Sequence, residues 1–171
     1  MKPTLFIFSG LPGTGKTTLS KLLAQTCKAA YFRLDTLEHG LHEICGIKVG
    51  GEGYGLAYRM VKDNLENGMN VIVDCCNPIN LTRKEWKEVA MSGNARCVNI
   101  EVCCSDADEH KRRVENRQND IAGFVLPSWD DVVSRQYDEW KQELMKIDTA
   151  NKTVEICMDE IIGHLKKMGI A

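Results

Sequence analysis

The ten residues GLPGTGKTTL, Gly10 to Leu19, follow the apolar run TLFIFS and constrain this chain more than any other feature. Gly10, Gly15, Lys16 and Thr17 satisfy GxxxxGK[ST] between a predicted strand and a predicted helix, the context in which that pattern is a phosphate-binding loop. Such a loop turns its backbone N–H groups inward around phosphate oxygens, and Gly10, Gly13 and Gly15 supply the permissive backbone for it. A helix starting near Lys16 adds its positive N-terminal end. Gly10, Leu11, Pro12, Gly13, Thr14, Gly15, Lys16, Thr17 and Thr18 are therefore expected to hold ATP, with Lys16 at the β- and γ-phosphates and the Thr17 hydroxyl on Mg²⁺. A glycine-rich turn that binds nothing would not need Lys-Thr there.

Apolar runs rich in branched residues recur at Leu5 to Phe8, Ala30 to Leu34, Asn70 to Asp74, Arg96 to Cys103 and Thr153 to Cys157. Between them, helical spacing is read at Lys16 to Cys27, Gly53 to Asn67, Asn80 to Ser92, Asp106 to Asn119, Ser128 to Ile147 and Asp159 to Met168. Strands apolar on both faces and joined by helical crossovers predict an α/β fold, a three-layer α/β/α sandwich around a five-stranded parallel sheet. Two segments escape the pattern and read as loops: GIKVGGEGYG, Gly46 to Gly55, and QNDIAGFVLP, Gln118 to Pro127. With 171 residues, 43% of them hydrophobic, one domain over residues 1–171 is expected, with a lid at about 118–127.

The formal charge of −2 and the lack of a long basic tract argue against non-specific binding to a nucleic-acid backbone. Eight cysteines without any CxxC argue against zinc, and four lie in or beside apolar runs, where a reduced thiol packs as a small hydrophobe. Met1-Lys2 runs straight into the first strand, which is neither a signal peptide nor a membrane anchor. A reducing cytoplasm is the expected location.

Asp74 ends the run VIVD, and in a parallel sheet that tip shares an edge with the glycine loop. It is expected to hold Mg²⁺, directly or through water, the alternative being a carboxylate that caps the next turn.

The chain resembles the small P-loop kinases that include polynucleotide 5′-hydroxyl kinases, gluconate kinase, adenylylsulfate kinase and proteins labelled AAA-type ATPases. The carriers are GLPGTGKTT, Arg33-Leu34-Asp35, VIVDCCNPINLTRKEW from Val71 to Trp86, and EHKRRVENR from Glu109 to Arg117. The resemblance implies a nucleoside-monophosphate-kinase-like P-loop fold and transfer of the γ-phosphate of ATP to a hydroxyl of a small molecule or a polynucleotide 5′ end. Nucleic acid would enter only as such an end, and no membrane is involved.

It further implies that Asp35 contacts the acceptor hydroxyl; a carboxylate at a strand tip beside the loop could orient that group or take its proton. Asp35 could instead, or also, be the N-cap of the following helix. Asn77 and Arg83 match acceptor-side positions, Arg83 having the alternative of a solvated helix charge. Arg113 and Arg117, four apart on one helix face, match arginines that precede a mobile lid and stabilise the phosphoryl group in transit, unless they are surface charges. QNDIAGFVLPSW departs from larger kinases in carrying no arginine. Trp86, Tyr137 and Trp140 read as packing residues, Ser128 with Asp131 as a capping box, and Arg135 as either a nucleotide contact or a surface charge. His39, His42, Tyr54, Tyr58 and Arg59 are candidates for the acceptor pocket.

Three rivals share the loop. A GTPase would need Asn-Lys-x-Asp after a strand, whereas Asn151-Lys152-Thr153-Val154 ends in Val and is expected to precede the last strand. An oligomeric AAA motor would need a second helical domain. A non-catalytic ATP-dependent switch would use the nucleotide only to order its loops.

Overall fold

A computed structural model describes residues 2–170; Met1, where the reading of the N-terminus begins, lies outside them. The elements run β1 (Thr4–Ser9), α1 (Lys16–Cys27), β2 (Ala30–Arg33), α2 (Leu34–Cys45), α3 (Glu52–Glu66), β3 (Val71–Asp74) and α4 (Asn80–Ser92). They continue with β4 (Arg96–Cys103), α5 (Ala107–Glu115), α6 (Trp129–Val133), β5 (Met145–Asp148) and α7 (Val154–Lys167). The five strands form one parallel sheet in the order β2-β3-β1-β4-β5.

Alternation along β1 divides the core. Phe6 and Phe8 face a layer with Leu19 and Leu23 of α1 and Cys157, Ile161 and Leu165 of α7. Leu5 and Ile7 face the other layer, with Ala57, Val61 and Leu65 of α3 and Trp86 and Val89 of α4. All six β1 residues are buried, so each apolar side chain there contributes about 2 kcal/mol. Because β1 is flanked by β3 on one side and β4 on the other, the chain's crossovers part at its C-terminal tip. Such a switch point opens a crevice beyond the strand ends, and the loop Gly10 to Gly15 fills that position.

Three expectations need correction. Thr153 to Cys157 is not a strand: Thr153 is the N-cap of α7, its hydroxyl accepting from Ile156 N, and Cys157, Ile161 and Leu165 then fall four apart on the buried face. A short apolar run fits either period, and here the helical one wins because the face continues. The fifth strand is instead Met145–Asp148, with Met145 and Ile147 inward and Lys146 outward. The helix expected over Ser128 to Ile147 shrinks to α6: beyond it the backbone bonds elsewhere, Asp138 N donating to Pro78 O and the carbonyls of Asp138 and Glu139 accepting from Arg83. Ser128 and Asp131 do form a capping box at its start. Finally, α2 occupies much of the span expected to carry acceptor contacts, and the glycine-rich loop runs only from 46 to 51 before α3 begins.

No helix among the described residues is long and apolar enough to cross a membrane.

Candidate active site

At Gly10, φ is 136°, and a Cβ would sit 2.1 Å from Val102 O on the neighbouring strand. At Gly13, φ is 82°, and a Cβ would meet Val114 of α5 at 2.5 Å. No other residue fits either place. The loop is tied on every side: Gly10 N donates to Cys76 O at 3.2 Å, the Thr14 hydroxyl to Leu11 O at 2.9 Å, and His110 Nε2 lies 2.8 Å from Pro12 O. Lys16 Nζ donates to Leu11 O at 3.0 Å, which folds the ammonium over the loop.

The loop floors a cavity of about 630 Å³. Lys16, Thr17, Thr18, Asp35, Asp74, Arg113 and Arg117 all line it. Thr17 and Asp74 present a hydroxyl and a carboxylate to the same space, and this hard oxygen pair fits Mg²⁺, which keeps most of its waters and takes few protein ligands. Asp74 is 3% exposed and accepts a hydrogen bond from the Tyr31 hydroxyl at 2.9 Å. Burial, then the Asp74 charge, pushes the Tyr31 phenol well above its usual range, so it remains a donor.

Arg113 is held rather than loose. Its Nη2 donates to Glu109 Oε1 at 2.6 Å and to Thr149 O at 3.1 Å, and its Nη1 to the Thr149 hydroxyl at 2.7 Å. It also borders a second cleft of about 300 Å³ with Gly15, Thr18, Thr149 and Lys152. Asn151 and Lys152 follow the last strand β5 instead of preceding it, so the positional argument against a guanine motif falls. The chemical one stands, since Val154 cannot accept from a guanine edge.

Asp35 lies in the first turn of α2, whose N-cap is Arg33 in extended conformation, so Asp35 is not the cap. Glu38, one turn on, lines the same cavity and was not anticipated. The signal was present: residues three apart on a helix share a face. Its stem lies against Gly53 of α3, where a Cβ would come within 2.3 Å of Glu38 Cγ. Burial, then the Asp35 charge, raises its carboxyl to about 7, against the opposing pull of Arg135. Arg135 lines the cavity too, beside Asp35 and Glu38.

Asn77 and Arg83, expected on the acceptor side, do not line the cavity. Arg83 is 1% exposed; its Nε donates to Asn77 O, Nη1 to Asp138 O and Glu139 O, and Nη2 to Pro78 O. Its guanidinium carbon lies 3.9 Å from the centre of the Trp140 ring and 5.0 Å from that of Tyr137. It is therefore no solvated helix charge: it pins the strand-less stretch 134–144 to α4. Asn77 Nδ2 donates to the Ser9 hydroxyl and its Oδ1 accepts from Thr82, which locks the exit of β3. Tyr54 accepts from Asn77 N, and Tyr58 packs edge-on against Trp86 at 4.4 Å. His42 and Arg59 are exposed.

Residues 118–127 form neither helix nor strand and lie across α2. His39 Nε2 is 2.7 Å from Ala122 O and its ring meets Phe124 edge-on at 5.8 Å. His39 is thus a contact of the segment 118–127. Among the described residues all eight cysteines are free thiols, and no group of three or more His, Cys, Asp or Glu gathers around a metal-sized site.

The model of a family described as AAA domain matches residues 5–145. A Pyrococcus abyssi protein named "Putative adenylate kinase" is 28% identical over 171 residues, covering 95% of this chain and 84% of its own. The Mycobacterium tuberculosis APS kinase, in complex with AMPPNP and APS, superposes with a TM-score of 0.70 at 16% identity, over 96% of this chain and 98% of that one. A gluconokinase from Sinorhizobium meliloti gives 0.68 at 16% identity, over 98% and 94%. At these identities the two structures show the fold, a P-loop kinase fold, and no more.

Proposed function

The chain belongs to this AAA domain family of P-loop proteins, and on that premise we propose that it is an ATP-dependent phosphotransferase whose acceptor group is a hydroxyl. The observation that carries the reading is the meeting, in one cavity, of Lys16 and Thr17 with Asp35. A nucleotide-dependent switch needs the first two and has no use for the third.

The loop N–H groups and Lys16 would hold the β- and γ-phosphates. Thr17 and Asp74 would hold Mg²⁺, which would neutralise phosphate charge. The acceptor oxygen forms a bond to the γ-phosphorus as the bond to the bridging oxygen breaks. ADP departs with that electron pair, and the hydroxyl proton passes to Asp35. Arg113 and Arg117 face the charge that spreads over the moving group.

The cavity wall around Asp35 carries a second carboxylate, Glu38, with Arg135 as the nearby cation. That wall suits a neutral or amine-bearing hydroxyl compound better than a strongly anionic one. The test is a screen with γ-labelled ATP against pooled sugars, nucleosides, amino alcohols and 5′-hydroxyl oligonucleotides, with AMP as the phosphate acceptor for comparison. Label transfer to a hydroxyl supports the proposal. Transfer to AMP alone replaces it with a nucleotide kinase, and no transfer to any pool favours the switch.

A further inference from the structure

The lid and the acceptor carboxylate share one buried arginine. Arg33 ends β2 two residues before Asp35 and is 7% exposed. Its Nη1 donates to Asp120 Oδ2, on the lid, at 2.7 Å. Its Nη2 stands 3.7 Å from Asp35 Oδ2, close enough for attraction and too far for a hydrogen bond. Buried Nε and Nη2 have no hydrogen-bond acceptor. Asp120 Oδ2 also takes Lys21 Nζ at 3.2 Å, and Asp74, beside Arg33 in the sheet, is engaged by Tyr31. Of the open donors on Arg33, Nη2 has the carboxylate of Asp35 within 4 Å.

A buried cation with unsatisfied donors closes on whichever anion is within reach, because an unpaired charge away from water is costly. From this arrangement we infer that Asp120 is a positioning residue that acts on Asp35 through Arg33. With the lid docked, Asp120 draws the guanidinium away and leaves Asp35 turned to the cavity. With the lid lifted, Arg33 advances less than about 1 Å, hydrogen-bonds Asp35 and takes it from the acceptor. The inference rests on the reading of Asp35 given above. Its consequence is that the acceptor-side carboxylate is available only under a closed lid, when water is excluded from the phosphoryl group. The lid, which has no arginine of its own, does its electrostatic task with an aspartate.

The test uses the full chain with Mg²⁺ and the β,γ-imido analogue of ATP, and reads thermal midpoints for the parent, Asp35→Asn, Asp120→Asn and the double variant. Asp35→Asn should move the parent's midpoint by less than about 1 °C and that of Asp120→Asn downward by about 3 °C, because Asp35 has there become the partner of Arg33. Equal shifts in the two backgrounds would overturn the inference; an Asp120 that only anchors the lid gives that result. If the double variant does not fold, a crystal structure of Asp120→Asn decides. An Arg33–Asp35 separation below about 3.2 Å supports the exchange, and an unchanged one refutes it. Neither readout depends on turnover. If both succeed while Asp35→Asn keeps full transfer activity, the catalytic assignment of Asp35 falls, and the gate with it.

Discussion

The two ends of the cavity are built from different materials. At the nucleotide end the functional groups are main-chain N–H groups and a lysine at fixed spacing, on a loop that two neighbouring elements press into shape at Gly10 and Gly13. At the proposed acceptor end they are side chains from separate elements: Asp35 and Glu38 on α2, Arg135 beyond α6, and the segment 118–127. The first end tolerates almost no change because its chemistry is its backbone. The second can exchange side chains without disturbing the sheet, which suits a fold whose relatives carry names for several different acceptors.

Substitutions separate the two ends, and the largest effect belongs to Arg83. Arg83→Ala takes their arginine donor from the carbonyls of Asn77, Asp138 and Glu139, leaves Pro78 O with Asp138 N alone, and strips the guanidinium from two aromatic rings. It should cost about 3 kcal/mol in urea unfolding while ATP affinity hardly moves. Equal losses of stability and of ATP affinity would show that the two ends are a single mechanical unit.

Asp35→Asn keeps the shape of the acceptor end and removes its anion. Phosphoryl transfer should drop by roughly 10²-fold with Mg-ATP binding preserved in calorimetry. Loss of ATP binding as well would move Asp35 to the nucleotide end. Lys16→Ala acts there by design, and equilibrium binding should register an ATP affinity weaker by about tenfold with an unchanged melting curve. An affinity equal to the parent's would remove the loop from nucleotide binding.

The smallest effect probes Glu38. Its carboxyl titrates near 7 instead of 4.5, so the folded state binds the proton more tightly than the unfolded one. Its contribution is therefore fully present at low pH and is lost as pH rises from about 4.5 to about 7. Glu38→Gln should flatten that decline and leave the variant about 1 kcal/mol more stable than the parent above pH 7, allowing for solvent screening. Urea titrations on either side of this window check the sign, and identical profiles for the two proteins would mean that the acceptor wall is as wet as open surface.

Much of the architecture was legible from residue order. A β1 apolar on both faces demanded a covered parallel sheet, and GLPGTGKTT after it placed a phosphate loop at the sheet's edge. Four of the five strands fall where branched apolar runs predicted them. The fifth was misplaced because Thr153 to Cys157 and Met145 to Asp148 are both short and mixed. Only the continuation of the first into an i, i+4 face, and the pairing of the second against β4, separate helix from strand.

Site residues divide along the same line. Lys16, Thr17 and the loop glycines are set by local spacing, since each does its work within a few residues of the next. Arg83 and Asn77 show the converse: nothing local reveals that Tyr137, Trp140 and the carbonyls of Asp138 and Glu139 come from some fifty residues away to enclose a guanidinium. Arg33, Asp35 and Asp120 follow the same rule, two of them neighbours in sequence and the third supplied by the lid. Residue order alone sets what the backbone does locally: the strand, the glycine turn and the helix start around Lys16. Which charges face the cavity, and which are buried to brace it, was decided only by tertiary packing, because a charged side chain's energy depends on the neighbours and the water that the fold leaves around it.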